Sequence, residues 1–264
     1  MAVCLVIPAR YASSRLPGKA LAEVGGVPLI AHLWRAVAGA PGFARTLVAT
    51  DDERIAAAAR AAGAPARDVV MTSRRPRNGT ERVAEIAGTA ALDVDADVFV
   101  NVQGDQLGVT HALLATLLRA LDEDAGAPLA TLATVERGDD PATRAAFAAR
   151  EVVKVVTDAA GRALYFSRAP IPHGRDVWLR HVGVYAYRRD ALLELAAAEP
   201  TPLERAEGLE QLRALEMGLP IRVALTAERP LSINVPADLG RIAASATGIT
   251  EEECHRESAT SSSS

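Results

Sequence analysis

The sequence predicts an α/β fold, because short apolar runs rich in β-branched residues alternate with amphipathic stretches along its 264 residues. The most informative run covers residues 97–102, a buried strand that stops near Gly104 and leaves Asp105 beyond its carboxyl end. Because open α/β sheets bind ligands beyond the carboxyl ends of their strands, Asp105 is a natural position for holding Mg²⁺ against nucleotide phosphates. The alternative is that Asp105 caps the helix predicted over 109–120.

The other elements follow in chain order, with turn residues between them. Further strands are predicted over 3–8, 45–50, 68–72, 129–135, 152–157, 163–168, 181–187 and 221–225. Further helices are predicted over 28–37, 53–62, 81–88 and 203–217, with a last helix beginning at Pro236. Asp51 and Asp52 are expected to cap the helix at 53–62. We expect a single domain over 1–245, followed by a disordered polar tail over 246–264.

Composition argues against several classes of protein. A formal charge of −4 provides no overall basic field, which argues against binding to nucleic acid. Two cysteines, Cys4 and Cys254, are too few for a disulfide framework or a metal cluster and favour a reducing compartment. No apolar run approaches the length of a membrane span and no signal peptide is visible, so we expect a soluble cytoplasmic protein.

Three cations, Arg10, Arg15 and Lys19, lie in the loop directly after the first predicted strand. Together with the backbone amides of its turns, they would cradle and neutralise a triphosphate. The loop lacks the glycine spacing of both the Walker A loop and the G-x-G-x-x-G loop. The alternative is a solvated basic loop without a ligand.

A second loop, over residues 73–82, precedes the helix predicted from residue 81. Asn78 and Gly79 offer free amides and a close backbone approach, which suit a nucleotide base or ribose. Arg75 and Arg77 add positive potential for an anion. The alternative is a charged surface turn.

The strand over 181–187 alternates, which predicts that His181, Gly183, Tyr185 and Tyr187 share one face. This face either lines an acceptor pocket or is a half-buried sheet surface. Glu210 and Gln211 lie in the middle of the helix predicted over 203–217, where solvated side chains are the ordinary expectation.

Five segments, over residues 7–19, 79–82, 101–105, 164–168 and 209–213, closely resemble motifs of the 3-deoxy-manno-octulosonate (Kdo) cytidylyltransferases, in the same order. The resemblance implies a doubly wound, mostly parallel α/β nucleotidyltransferase with a smaller β-rich dimerisation and acceptor lobe. It also implies a homodimer that uses CTP and Mg²⁺ and releases pyrophosphate when CMP is transferred to an anionic acceptor.

The resemblance, read with the loops described above, assigns roles to individual residues. Catalysis would depend on Arg15, Lys19 and Asp105. CTP would contact Ala9, Arg10, Arg15, Lys19, Asn78, Gly79 and Gln103. The acceptor would contact Arg75, Arg77, Arg168, His181, Tyr185, Glu210 and Gln211. Asp105 and Asn234 would hold Mg²⁺.

Three departures from the family pattern all make the local charge more positive. Gln106 stands where the family has a glutamate, Asn234 stands where it has a second metal-binding aspartate, and Arg75 and Arg77 lie in a loop that is usually less basic. The sequence therefore favours an acceptor with more than one negative charge, such as the phosphonate phosphonoformate. One alternative acceptor is Kdo itself. Another alternative is a catalytically silent homologue that binds CTP.

Overall fold

The computed structural model describes residues 1–12, 17–89, 96–138, 140–174 and 176–232. Four of the sequence predictions therefore lie outside the described residues. They concern Arg15, Asn234, the helix beginning at Pro236 and the tail over 246–264.

The central sheet begins with four parallel strands in the spatial order β6-β1-β4-β5. The strands of the described residues are β1 (Val3–Ala9), β2 (Glu23–Val24), β3 (Val27–Pro28), β4 (Arg45–Thr50), β5 (Val69–Met71), β6 (Val98–Val102), β7 (Gln106–Leu107), β8 (Leu129–Arg137), β9 (Lys154–Thr157), β10 (Ala163–Ser167), β11 (Val177–Arg188), β12 (Ile221–Leu225) and β13 (Leu231–Ser232). β1 and β6 are buried along their whole length, which agrees with their apolar sequences, interrupted in β6 only by the buried Asn101.

Helices cover both faces of this sheet. The helices of the described residues are α1 (Leu29–Val37), α2 (Glu53–Ala61), α3 (Gly79–Gly88), α4 (His111–Glu123), α5 (Pro141–Ala148), α6 (Arg189–Ala197), α7 (Pro202–Glu207) and α8 (Gln211–Glu216). Apolar side chains of α1, α2 and α4 form one core cluster with the sheet, and those of α3, α6 and α8 form the other. This arrangement confirms the predicted doubly wound α/β class.

The residues that cap the N-termini of the helices decide between the two interpretations of Asp105. The Thr110 hydroxyl accepts a hydrogen bond from the Leu113 amide (3.1 Å) and caps α4, so Asp105 is not the cap of that helix. Asp52 caps α2 by accepting from the Arg54 amide (2.9 Å), as the sequence predicts. Asp105 is therefore available for another role.

The β-rich part of the fold extends the central sheet with antiparallel strands. The long strand β11 pairs with β6, β8 and β9, and β10 pairs with β9. A bridge between Arg162 and Arg222 brings β10 beside β12, so this part of the sheet curls back on itself. Val182 pairs with Leu132 and Tyr185 pairs with the next residue, Thr131, so β11 has two extra residues at this point relative to β8. Because the gain is an even number, the alternation of faces continues through the irregularity.

The helix predicted over 203–217 is wrong, because the chain forms the two short helices α7 and α8 instead. Gly208 adopts a left-handed conformation (φ 62°) that ends α7. The break places Glu210 at the start of α8, beside the sheet. No helix in the described part of the chain is long and apolar enough to cross a membrane.

Candidate active site

A cleft of about 1490 Å³ opens at the carboxyl ends of β1 and β6. This volume exceeds the ~300–1,000 Å³ of an ordinary small-molecule site, so the cleft has room for two substrates. The predicted site residues that line it are Ala9, Arg10, Lys19, Asn78, Gly79, Gln103, Asp105, Arg168, His181, Tyr185, Glu210 and Gln211. The topology therefore brings together residues that are up to about 200 positions apart in the sequence.

Glycine is required where two strands converge on the cleft floor. A Cβ atom on Gly104 would lie 2.9 Å from the carbonyl oxygen of Pro8, a backbone atom that has no room to move. The chain after β6 can therefore pass directly beside the end of β1 only without a side chain at this position. The close contact between the backbone at Gly104 and the end of β1 sets the distance between Asp105 and the loop that follows β1.

Lys19 and Asp105 form the ion pair at the centre of the cleft. The Lys19 Nζ lies 2.6 Å from Asp105 Oδ2, and both side chains are mostly shielded from solvent. Gly18 has a left-handed conformation (φ 71°), and its amide donates to the Tyr11 carbonyl (2.8 Å), which closes the loop and directs Lys19 inward. Arg10 reaches across the cleft mouth to donate to the Arg77 carbonyl (2.9 Å).

The second carboxylate oxygen of Asp105, Oδ1, is buried and has no hydrogen-bond partner among the described residues. An unpaired buried carboxylate oxygen is costly unless a cation or donor completes it. The described residues contain no group of three or more His, Cys, Asp or Glu that could hold a metal ion by themselves. Mg²⁺ at phosphates commonly uses only one or two protein carboxylates, so Asp105 fits this kind of site.

The start of α3 contributes backbone donors to the cleft. The Asn78 side chain caps α3 by accepting from the Glu81 amide (2.9 Å), and Gly79 lies at the first turn of the helix. A Cβ atom on Gly79 would lie 3.4 Å from Pro8 Cγ and 3.5 Å from Asn101 Nδ2, so the backbone is close to the sheet here. This segment presents a surface without side-chain bulk.

Arg75 and Arg77 are not brought into the cleft. Both are exposed, and neither is among the residues that line it. The Arg77 guanidinium instead pairs with Glu81 (2.7 Å) and Glu199 (3.3 Å) on the surface. For these two arginines the local geometry favours the alternative of a charged surface turn over acceptor binding.

Aromatic residues of β11 form one wall of the cleft. The His181 ring lies 5.1 Å from Phe166 and 5.4 Å from Tyr185, measured between ring centroids. His181, Tyr185 and Tyr187 lie along one face, as the alternation predicts, since Tyr187 stacks on Tyr185 at 5.7 Å. Burial lowers the pKa of His181 from 6.5 to about 3, so its imidazole is neutral at pH 7.

The tautomer of His181 follows from its neighbour. The Thr131 hydroxyl lies 2.9 Å from the Val184 carbonyl, which can only accept, so it donates its one proton there. The hydroxyl must then accept from His181 Nε2, which lies 3.0 Å away. This assignment leaves His181 Nδ1 as an acceptor for a substrate hydroxyl.

Glu210 also lines the cleft and interacts electrostatically with Tyr185; its carboxylate oxygen Oε2 is buried and has no hydrogen-bond partner among the described residues. Burial raises the pKa of Glu210 from 4.5 to about 7, while the Thr80 hydroxyl and the Arg213 charge oppose that shift. Glu210 therefore changes its charge close to neutral pH.

The shifted pKa of Glu210 predicts how stability depends on pH. Because the folded-state pKa is the higher one, Glu210 favours folding below about pH 4.5, and this contribution is lost as the pH rises through about 7. Replacing Glu210 by glutamine should therefore raise stability relative to wild type by about 1–2 kcal/mol more at pH 8 than at pH 5. Thermal unfolding at both pH values measures this difference. The exposed control Glu194→Gln should show none, and equal effects of Glu210→Gln at both pH values would contradict the prediction.

Arg168 is held at the edge of the cleft by backbone carbonyls. Its guanidinium donates to the carbonyls of Glu207 (2.8 Å) and Arg150 (3.0 Å), and the Glu207 carboxylate accepts from its amide (2.9 Å). Beneath it, the fully buried Lys154 donates to three carbonyls, those of Ala149, Val152 and Arg168, at 2.7–2.9 Å. Lys154 therefore fixes the wall that carries Arg168.

Sequence reasoning missed four further cations that line the cleft, Arg82, Arg180, Arg205 and Arg229. Arg82 is buried and pairs with Asp51 (3.5 Å), which explains why Asp51 does not cap α2. The sequence did contain a signal for Arg82, because this residue lies in the segment over 79–82 that resembles a family motif. Arg180 directly precedes His181 in β11, whereas nothing in the local sequence marks Arg229.

A doubly wound sheet with a cation-bearing loop and an acid at the carboxyl ends of its strands is the arrangement of a nucleotide-binding α/β enzyme. The chain matches the cytidylyltransferase family over residues 4–222. It belongs to this family, and it is a CTP-dependent nucleotidyltransferase related to the Kdo cytidylyltransferases.

Individual relatives support this placement over nearly the whole chain. The chain is 43% identical to the 3-deoxy-manno-octulosonate cytidylyltransferase of Geobacter metallireducens, covering 92% of this chain and 96% of the relative. It is 45% identical to the enzyme of the same name from Halorhodospira halophila, with the same coverage. The solved structure of a CMP:2-keto-3-deoxy-manno-octonic acid synthetase in complex with CTP is 37% identical, with a TM-score of 0.82 over 94% of this chain and 99% of that one.

Proposed function

We propose that this enzyme transfers CMP from CTP to Kdo, giving CMP-Kdo and pyrophosphate. The observation that carries the proposal is the similarity to Kdo cytidylyltransferases, which spans nearly the full length of both chains. The cleft geometry supports it, since CTP-side and acceptor-side residues line one continuous volume. We also propose that the protein is a cytoplasmic homodimer, by resemblance to the family. Sedimentation at a mass near twice 27.7 kDa would test the dimer.

The charges of the cleft favour a sugar acid over the phosphonate acceptor that the sequence departures favour. Arg75 and Arg77, one of the three reasons for preferring a phosphonate, do not line the cleft. The acceptor wall instead carries the Glu210 carboxyl beside neutral groups of His181 and Tyr185. A carboxyl that ionises near pH 7 disfavours an acceptor with two or three negative charges, and neutral donors and acceptors suit hydroxyl groups.

The two surface arginines give a direct prediction. Replacing Arg75 or Arg77 by alanine should leave kcat and both KM values within about twofold of wild type, because each side chain lies outside the cleft and in solvent. Steady-state pyrophosphate release measures these constants. A fivefold or larger rise in the acceptor KM of either variant would return these residues to acceptor binding.

On the nucleotide side, we assign the CTP phosphates to Lys19 and Arg10, together with backbone amides of the loop that begins at Ala9. The capped start of α3, with Asn78 and Gly79, would hold the cytidine. Gln103 would lie between the two substrates. Arg15, which lies outside the described residues, remains a predicted phosphate ligand.

Asp105 is the residue that we propose holds Mg²⁺, through the buried oxygen that has no other partner among the described residues. When bound, the ion supplies positive charge that offsets the phosphate charges. Lys19 pairs with the other oxygen of Asp105, and so fixes the orientation of that carboxylate. Asn234, outside the described residues, remains a predicted second ligand.

The reaction needs no nucleophilic side chain. A hydroxyl oxygen of the acceptor attacks the α-phosphorus of CTP, the bond to the bridging oxygen breaks, pyrophosphate leaves with that electron pair, and the hydroxyl proton is released to solvent. The protein contributes position and charge: Lys19 and Arg10 stabilise the leaving group, and the acceptor wall aligns the attacking oxygen. His181 Nδ1 can accept a hydrogen bond from the acceptor in its neutral state at pH 7.

The first experiment measures pyrophosphate release from CTP and Mg²⁺ with each of four acceptors: Kdo, phosphonoformate, 2-hydroxyethylphosphonate and 2-aminoethylphosphonate. We expect turnover with Kdo. Turnover with a phosphonate and none with Kdo would reject the proposed acceptor. Release with none of the four, although CTP binds, would favour a catalytically silent homologue.

A further inference from the structure

A second wall of the cleft carries a cationic arm, which we define as Thr134, Glu136, Arg180 and Arg229. Arg180 Nε lies 3.3 Å from Glu136 Oε1, and Arg229 Nη1 lies 3.0 Å from Glu136 Oε2. The Thr134 hydroxyl donates to Glu136 Oε1 at 2.8 Å. One carboxylate thus holds two arginines in fixed positions, and both arginines line the cleft.

The charges of the cationic arm do not balance. Glu136 is 1% exposed, and both of its oxygens are engaged, so it offers no further charge to a neighbour. Two guanidinium groups against one carboxylate leave a net charge of +1. Within the described ranges, the guanidinium groups of Arg180 and Arg229 make no ion pair other than those with Glu136, and the Arg180 guanidinium lies 5.7 Å from the centroid of the Trp178 ring. A partly buried excess cation beside a cleft is stabilised by an anion.

The cationic arm lies next to Asp105 and the acceptor wall. β7 pairs with β13, with Gln106 opposite Ser232, and Arg229 stands two residues before β13. On the other side, a Cβ atom on Gly183 would lie 3.2 Å from Gln106 Nε2. The absence of a side chain at Gly183 therefore lets the Gln106 amide pack closely against β11, which carries His181 and Arg180.

We propose that the cationic arm binds the carboxylate of the acceptor, with Arg180 and Arg229 as the donors. The identity of that acceptor rests on the proposed function, but the charge that the arm recognises does not. The CTP phosphates already have Lys19 and Arg10 on the loop after β1. The arm continues instead from β11, which also provides His181 and Tyr185 of the acceptor wall.

Gln106 contributes to the charge of the same region of the cleft as the cationic arm. The buried amide of Gln106 is neutral and lies between Asp105 and the cationic arm. It therefore does not offset the net charge of +1 that the cationic arm carries. A carboxylate in its place would cancel that charge and repel an acceptor carboxylate. The replacement Gln106→Glu should therefore act in the same direction as loss of one arginine.

The test uses Arg229→Met, which removes one cation from an exposed position and leaves Glu136 paired with Arg180. Steady-state kinetics are measured with the acceptor acid and with its uncharged carboxamide. We expect the KM for the acid to rise about tenfold, with the CTP KM unchanged, as for loss of one charge-assisted hydrogen bond. The carboxamide KM should not change. Arg119→Met, which alters an arginine of α4 outside the cleft, is the matched control.

Three results would overturn the assignment. They are an unchanged acid KM in Arg229→Met, an equal rise for acid and carboxamide, and a rise in the CTP KM alone, which would move the anion to the nucleotide phosphates. An unfolding temperature equal to that of wild type separates a local effect from misfolding. If Kdo is not a substrate, the proposed function fails, and the same comparison is made with the acid that the wild-type enzyme accepts.

Discussion

Replacing Asp105 by asparagine is expected to lower kcat by about 10²–10³-fold, the largest effect on activity of any substitution considered. The substitution removes the charge that pairs with Lys19 at 2.6 Å and replaces one of the two carboxylate oxygens with an amide nitrogen. An amide is also a weaker ligand for Mg²⁺ than a carboxylate. Single-turnover pyrophosphate release at saturating CTP measures the change.

The matched control for this substitution is Asp122→Asn, which alters an exposed aspartate of α4. It should leave kcat unchanged, and both variants should unfold within a few degrees of wild type. An Asp105→Asn enzyme that keeps kcat within about threefold of wild type would remove Asp105 from the catalytic site.

Replacing Arg213 by methionine is expected to cost about 3–5 kcal/mol of the free energy of unfolding. Arg213 is 2% exposed and forms two hydrogen bonds with Glu204, at 2.7 and 2.6 Å. It also donates to the carbonyls of Leu195 and Ala198, at 3.0 Å each, so it ties α6 to α7 and α8. The variant leaves the Glu204 carboxylate buried without its partner. Denaturant unfolding measures the loss.

The control Arg35→Met, on an exposed face of α1, should change stability by less than about 0.5 kcal/mol. The double variant Arg213→Met with Glu204→Leu should recover part of the loss, because it removes the orphaned charge. If the double variant is no more stable than Arg213→Met, the cost lies in packing and in the lost carbonyl contacts rather than in the unpaired carboxylate.

Most of the fold could be predicted from local sequence, because its strands are either continuously apolar or bounded by turn residues. The boundaries predicted for residues 45–50 and 221–225 are those of β4 and β12. The prediction fails at 203–217, where Gly208 breaks the helix. Helical periodicity continues across this residue, and only the tertiary structure, which packs α8 against the sheet, selects the left-handed turn.

The site could be predicted only in part, because charge in a sequence does not reveal how it is paired. Arg75 and Arg77 stand beside a glycine that lines the cleft, yet ion pairs and solvent hold Arg77 on the surface. Arg229 reaches the cleft because β13 pairs with β7, and its partner Glu136 is 93 positions away. The role of Lys154 is likewise recognised only when two carbonyls of the turn over 149–152 and the distant carbonyl of Arg168 converge on its ammonium group.

The proposed acceptor is a sugar acid with a single carboxylate. A competition experiment tests it most directly, with limiting CTP, Mg²⁺, and equal concentrations of Kdo and phosphonoformate in one reaction. The cytidylylated products are separated and identified by mass. We expect nearly all of the transferred CMP to be found in CMP-Kdo, whereas a product dominated by CMP-phosphonoformate would rule out Kdo as the preferred acceptor.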